Sequence, residues 1–184
     1  MATDLSLFRR RLLQNPKQVS AIAPSSRALA RAMADGLGPQ TGRVVEFGPG
    51  TGRLTQAIID AGVAPENLIM FELDTHFASH LRNTFPHSVL HLAGAETAPD
   101  RVAPGVGAVV SGLPLLSMPH EVRHAIVSAA FRILAPGAPF IQFTYGSKPP
   151  IPAAMIAALG LSVEIGAKVW ANLPPARVYR FRRL

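Results

Sequence analysis

Short apolar runs alternate along the chain with longer amphipathic ones. The runs Arg43–Phe47, Leu68–Phe71, Val89–Leu92, Val106–Ser111 and Phe140–Tyr145 have the length and bounding residues of strands. Between them the apolar spacing becomes helical. Ser25 or Ser26 caps a predicted helix to about Asp35, with Leu29 and Met33 on one face and Gly36-Leu37-Gly38-Pro39 as its stop. A helix over Arg53–Ala61 carries Leu54, Ala57 and Ile58, and another covers about Thr75–Phe85. A longer one, with Pro119 in its first turn, runs to Leu134 on Val122, Ile126, Ala130 and Ile133 and ends at Pro136-Gly137. After the proline-rich loop Lys148–Pro152 comes a helix of Ala, Met and Ile. Two last strands, near Leu161–Trp170 and Arg177–Arg182, are separated by Pro174-Pro175 with no helix between them, so they should pair as an antiparallel hairpin. The pattern predicts an α/β fold: a Rossmann-like, doubly wound, mostly parallel sheet with an antiparallel C-terminal hairpin.

The first 17 residues stand apart. Leu5, Phe8 and Leu12 recur at helical spacing, Leu13 widens the stripe, and Arg9, Arg10, Arg11 and Lys17 surround it. Such a basic amphipathic helix suits either a membrane interface or a lid packed on the domain. Asn15-Pro16 ends it.

At 184 residues the expectation is one domain, with 1–17 as the amphipathic segment and 18–184 as the core. The 48% hydrophobic content and a mean hydropathy of +0.25 exclude a disordered chain. No apolar run reaches the ~18–20 residues of a membrane span. Arginines occupy the place of a secretory core, which points to the cytoplasm. The absence of cysteine excludes disulfides, cysteine–zinc sites and thiol catalysis. A net charge of +7 favours an anionic partner, either nucleic acid or a membrane surface.

The chemistry gathers around Glu46-Phe47-Gly48-Pro49-Gly50-Thr51-Gly52-Arg53, a strand end, a glycine turn and a helix start. A dinucleotide fingerprint needs its third glycine at position 53, where this chain has Arg53. The Glu46-x-Gly48-x-Gly50-x-Gly52 form favours S-adenosylmethionine (SAM) instead. Glu72 ends the next strand, where an acid accepts ribose hydroxyls; Asp74 is a second candidate. Thr51, Gly52, Leu73 and Ser111 border the same pocket. After the third strand an acid would be expected to read adenine, but the stretch is Gly94-Ala95-Glu96, leaving Glu96 or the backbone at Ala95 for that task.

After strand four comes Ser111-Gly112-Leu113-Pro114-Leu115-Leu116. Methyltransferases of nucleobase amines carry Asn or Asp, then Pro and an aromatic residue, in this loop. Here Gly112 replaces the polar side chain and Leu115 the ring. Backbone carbonyls at Gly112 and Leu113 could still orient an amine, and the substrate should be flexible and greasy. Tyr145, at the end of strand five, suits a methylated cationic nitrogen. His120 is a candidate for assisting deprotonation. The pairs His76/His80 and His120/His124 lack a third metal ligand, and no metal is expected.

Several strings together resemble the small bacterial PmtA-like phospholipid N-methyltransferases, of the class I SAM-dependent superfamily. They are Asn15-Pro16-Lys17-Gln18-Val19, Ile22-Ala23-Pro24-Ser25-Ser26, the glycine turn, Glu72, the Ser111–Leu116 loop, Tyr145-Gly146, and Ala171-Asn172-Leu173-Pro174-Pro175-Ala176-Arg177-Val178-Tyr179. The resemblance implies methylation of phosphatidylethanolamine through mono- and dimethyl forms to phosphatidylcholine. It also implies peripheral binding to the inner face of the cell membrane, favoured by anionic lipids, through Leu5, Phe8, Arg9, Arg10, Arg11 and Leu12. It assigns Glu46, Gly48, Gly50 and Glu72 to SAM; by position, Ser25 and Ser26 are added as a lid over its methionine end. A monomer that binds no nucleic acid is expected. The competing expectations are an rRNA adenine N6-methyltransferase and a non-catalytic SAM-binding membrane protein.

Overall fold

A computed structural model describes residues 26–145 and 149–184. The basic N-terminal segment, Ser25 and Gly146 lie outside the described residues.

The elements follow the predicted order. Helix α1 (Arg27–Ala34) starts at Ser26, whose hydroxyl accepts from the Leu29 N–H at 3.1 Å, an N-cap that satisfies one of the open donors of the first turn. Then come β1 (Val44–Phe47), α2 (Arg53–Asp60), β2 (Leu68–Glu72), α3 (Thr75–Thr84) and β3 (Val89–Leu92). A 3-10 segment (Ala95–Asp100) leads to β4 (Ala108–Ser111), α4 (His120–Ile133), β5 (Phe140–Thr144), α5 (Ala153–Ala158), β6 (Leu161–Val169) and β7 (Ala176–Arg183). The fourth strand is shorter than the apolar run Val106–Ser111 suggests. Val106 makes only an isolated bridge to Leu134, and Gly107 presses so close to the Thr41 carbonyl that no side chain fits there. Pro119 precedes α4 as its N-cap residue instead of sitting in its first turn.

The seven strands form one sheet in the order β3-β2-β1-β4-β5-β7-β6. The first five are parallel; β7 runs antiparallel to both β5 and β6. The expected C-terminal hairpin is therefore present, with β7 inserted between β5 and the edge strand.

Side-chain alternation splits the core in two. Val45, Phe47, Val109 and Phe140 face α4 and α5, joined by Val122, Ile126 and Met155. Val44, Val110, Ile141 and Phe143 face the other way, onto Leu29, Met33, Ile58 and Leu81 of α1, α2 and α3. β1, β4 and β5 are buried on both faces and so read as largely apolar runs. The arrangement brings the carboxyl ends of β1, β2, β4 and β5 to one edge, and the strand order reverses between β1 and β4, where doubly wound sheets form their ligand crevice.

Candidate active site

The glycine turn is built from three residues with positive φ: 69° at Gly48, 54° at Gly50 and 80° at Gly52. They serve different purposes. A Cβ on Gly48 would come within 2.5 Å of Leu113 Cδ2, and one on Gly52 within 2.7 Å of Phe85 Cε2. Those two glycines permit close packing below and beside the turn. At Gly50 no described residue lies within 4 Å of the Cβ position, so the backbone there faces away from the described parts of the fold. The turn is fixed by Gly48 N–H donating to the Phe71 carbonyl and Gly52 N–H to the Pro49 carbonyl, both at 2.9 Å.

Glu72 lies against this turn and is nearly buried. Its Oε2 accepts from Gly50 N–H at 3.0 Å, and its Oε1 from the N–H groups of Leu73 and Asp74 at 2.8 and 2.9 Å. Burial raises its pKa above the ordinary carboxylate value, against the pull of those three donors. An ionised carboxylate offers about four acceptor positions, so Glu72 still has capacity on the Oε2 side. Asp74 is otherwise engaged: its Oδ1 accepts from His76 and Phe77 N–H and caps α3. Of the two acids, Glu72 is the one hydrogen-bonded to the glycine turn.

Glu46 is enclosed completely beneath the turn. Its Oε2 accepts from Thr55 Oγ1 of α2 at 2.8 Å, while its Oε1 is buried with no partner among the described residues. Burial pushes its pKa up to about 8, with Glu72 nearby adding to the shift. Glu46 thus joins β1 to α2 under the turn as a largely protonated acid. Thr55 was not foreseen; a hydroxyl on the buried face of α2 was the available signal.

On the far side of the crevice the third strand ends at a turn closed by the Thr97 hydroxyl and N–H on the Gly94 carbonyl. Ala95 is buried in the apolar cluster with Phe47, Phe71 and Ala98. The Glu96 carboxylate folds back over Gly94. Ala95 therefore stands where the sheet needs a small apolar group.

The loop after β4 is tightly tied. Gly112 N–H donates to the Phe47 carbonyl at 2.8 Å, and a Cβ on Gly112 would sit 2.7 Å from the Gly48 carbonyl oxygen. No polar side chain fits at this position without moving the glycine turn. Ser111 is fully buried, its Oγ accepting from Leu113 N–H at 3.3 Å. The Leu113 carbonyl, expected to orient an amine, takes Leu115 N–H and Gln142 Nε2–H, both at 2.9 Å. Its acceptor capacity is filled within the protein. Gln142 was missed by sequence reasoning, although a lone amide in the apolar strand Phe140–Thr144 signals a buried group in need of partners.

A cavity of about 160 Å³ opens between this loop and the end of β5, lined by Leu113, Leu116, Phe143, Thr144 and Tyr145 among others. The Tyr145 ring stands edge-on to Phe143, centroids 5.2 Å apart. Asn172 hydrogen-bonds to its phenol, and burial raises the phenol pKa, so the ring is neutral at neutral pH. Asn172 also accepts from Ser26 N–H at 2.8 Å and donates to the Pro174 carbonyl at 2.7 Å. Ser26 is thereby committed to α1 and to Asn172. His120 is exposed at the start of α4, beside Glu121 and His124, and does not line the cavity. A larger groove of about 440 Å³ between α1 and α2 carries Arg27, Arg31 and Arg53. It reaches the turn only at Thr51 and Gly52 and excludes Gly50 and Glu72, so it is separate from the crevice. Among the described residues no group of His, Asp and Glu could hold a metal.

No family model matches the chain. An ornithine lipid N-methyltransferase from Singulisphaera acidiphila is 30% identical over 157 residues, covering 77% of this chain and 78% of the relative. Among solved structures, a TehB-like SAM-dependent methyltransferase from Corynebacterium glutamicum superposes with a TM-score of 0.67 over 97% of this chain and 99% of its own, at 13% identity. The glycopeptide N-methyltransferase MtfA complexed with SAM gives 0.64 over 88% and 96%, at 17% identity. An rRNA methylase from Streptococcus thermophilus gives 0.59 over 84% and 94%, at 16% identity. At such identities these structures establish the fold.

Proposed function

Since the chain belongs to the family of the ornithine lipid N-methyltransferase, with the class I SAM-dependent methyltransferase fold, we propose that it N-methylates the primary amine of a membrane lipid. SAM is the methyl donor. The head group proposed is phosphatidylethanolamine, carried through mono- and dimethyl forms to phosphatidylcholine at the inner membrane face. No described helix is long and apolar enough to cross a membrane, and peripheral attachment is the arrangement proposed.

The residues at the glycine turn fit the donor. Gly50 leaves the approach open and Glu72 offers its remaining acceptor capacity to a ribose hydroxyl. When bound, SAM supplies an electrophilic methyl on a sulfonium. The chain supplies position and a dry surface. The observation that carries the lipid reading is the acceptor loop itself. Gly112 has no room for a side chain that would grip a base amine, and Leu113 spends its carbonyl on Leu115 and Gln142. What remains is an apolar cavity suited to a small aliphatic amine.

The lipid amine must lose its proton before its lone pair can attack. Among the described residues no carboxylate or imidazole lines the cavity, and Tyr145 holds its phenol proton. An apolar cavity disfavours the ammonium form, so the proton leaves to water as the head group enters. Tyr145 and Phe143 line the same cavity, and an aromatic face there would attract the methylated, cationic product.

Incubation with methyl-labelled SAM tests this reading, using phosphatidylethanolamine vesicles, ornithine-lipid vesicles and rRNA in parallel. Label is expected in phosphatidylethanolamine. Label only in ornithine lipid changes the head group and keeps the class. Label only in RNA overturns the reading.

A further inference from the structure

The turn between β6 and β7 lies at the same sheet edge as the crevice, because Val169 pairs with Ala176 and Thr144 with Arg177 in the two antiparallel ladders. This turn is inside out. Its amide, Asn172, is only 5% exposed, whereas Trp170 is 72% and Leu173 86% exposed. Turns in water favour Gly, Asn, Asp and Ser at their tips. Here the polar residue is spent inward, holding Ser26, Pro174 and Tyr145, and the apolar residues point outward from a firmly tied loop. Lys168 Nζ stands 3.8 Å from the centroid of the Trp170 ring. On the acceptor loop, at the same edge, Leu116 is 45% exposed.

Tryptophan prefers the membrane–water interface, where its ring meets acyl chains and its N–H meets head groups. A lysine stacked on it can keep its ammonium at the phosphate level. A partner protein could also cover such a patch, but two features favour a bilayer. The net charge of +7 complements an anionic leaflet, and Asn172 ties the turn to Tyr145, which lines the cavity that a lipid amine has to reach.

We propose that the β6–β7 turn is a membrane-docking element. Trp170 and Leu173 enter the interface of an anionic bilayer, Lys168 sits at the phosphates, and the acceptor cavity faces the lipid surface. The element is distinct from the N-terminal basic segment and rests on the lipid-acceptor reading above.

Trp170 is the sole tryptophan of the chain, so its fluorescence reports on the turn directly. The full chain is mixed with vesicles of phosphatidylethanolamine and an anionic phospholipid. Emission is expected to shift to the blue, and brominated acyl chains to quench it. Protein that sediments with vesicles while Trp170 emits as in water overturns the proposal, as does protein that does not sediment at all. The double substitution Trp170→Ser/Leu173→Ser should weaken vesicle binding about tenfold. Its methylation rate on short-chain phosphatidylethanolamine dissolved as monomers should be unchanged. Sedimentation equal to the wild type overturns the proposal. Quenched Trp170 without label in any lipid keeps the docking element and overturns the lipid acceptor; labelled lipid without quenching does the reverse.

Discussion

The two walls of the crevice are made by opposite means. The wall proposed for the cofactor is backbone: Gly48, Gly50 and Gly52 at positive φ, and a carboxylate that holds three N–H groups. The wall proposed for the acceptor is side chain: Leu113, Leu116, Phe143 and Tyr145 around a small apolar cavity. A donor common to many enzymes can be held by a geometry that only glycine and one acid provide. An acceptor that differs between enzymes is held by packing that almost any apolar residue can supply. The first wall is therefore fixed by a few irreplaceable positions, and the second by the sum of many tolerant ones.

Substitutions should expose that asymmetry. The largest effect is expected at Glu72. Glu72→Ala removes the acceptor beside Gly50 and leaves three N–H groups without their partner, and SAM affinity should fall about a hundredfold or more by titration calorimetry. Glu72→Gln, which keeps the shape, should fall in between. Undiminished affinity in both variants would place the cofactor elsewhere. On the acceptor wall, Gln142→Leu removes two hydrogen bonds at the Leu113 and Phe143 carbonyls, at a cost of about 1–2 kcal/mol of stability. Steady-state kinetics should then show a several-fold rise in KM for the amine with little change in SAM affinity. A change confined to SAM would mean that the two walls are not separable.

The third effect is one of pH. The folded pKa of Glu46, about 8, lies above its ordinary value of 4.5. The folded protein holds this proton more tightly than the unfolded chain does. The associated stability is complete below about pH 4.5 and declines as the pH rises toward 8. Glu46→Gln should remove that slope: denaturant unfolding should find it close to wild type at pH 5 and the more stable of the two at pH 8.5. Parallel pH profiles for the two proteins would show that Glu46 is not the group responsible.

The same asymmetry explains what the sequence made legible. Glycines with required conformations and an acid at a strand end leave a local signature, so the turn and Glu72 could be read from Gly48 to Glu72 without the fold. The order of strands and the C-terminal hairpin followed from apolar runs and from the missing helix before β7. The acceptor wall had no such signature. The Leu113 carbonyl is occupied by an amide 29 residues away, at Gln142, and Tyr145 is held by Asn172 from the turn after β6. Those contacts exist only once β4, β5 and β7 lie side by side. Ala95 shows the limit from the other side: its place in the chain suggests the adenine pocket, while its burial with Phe47 and Phe71 ties it to the core.

The hydrogen bond from Gly50 to Glu72 has a consequence for how tightly a ligand can be held. The turn does not wait for its ligand to acquire a shape, because the carboxylate already holds it. A ligand arriving there adds its hydroxyl to the acceptor position that Glu72 has left and orders little new backbone. Its affinity then carries little cost for ordering the loop, which has been met in folding. Such a site should bind and release its nucleoside with little backbone rearrangement, which suits the successive methyl transfers proposed above.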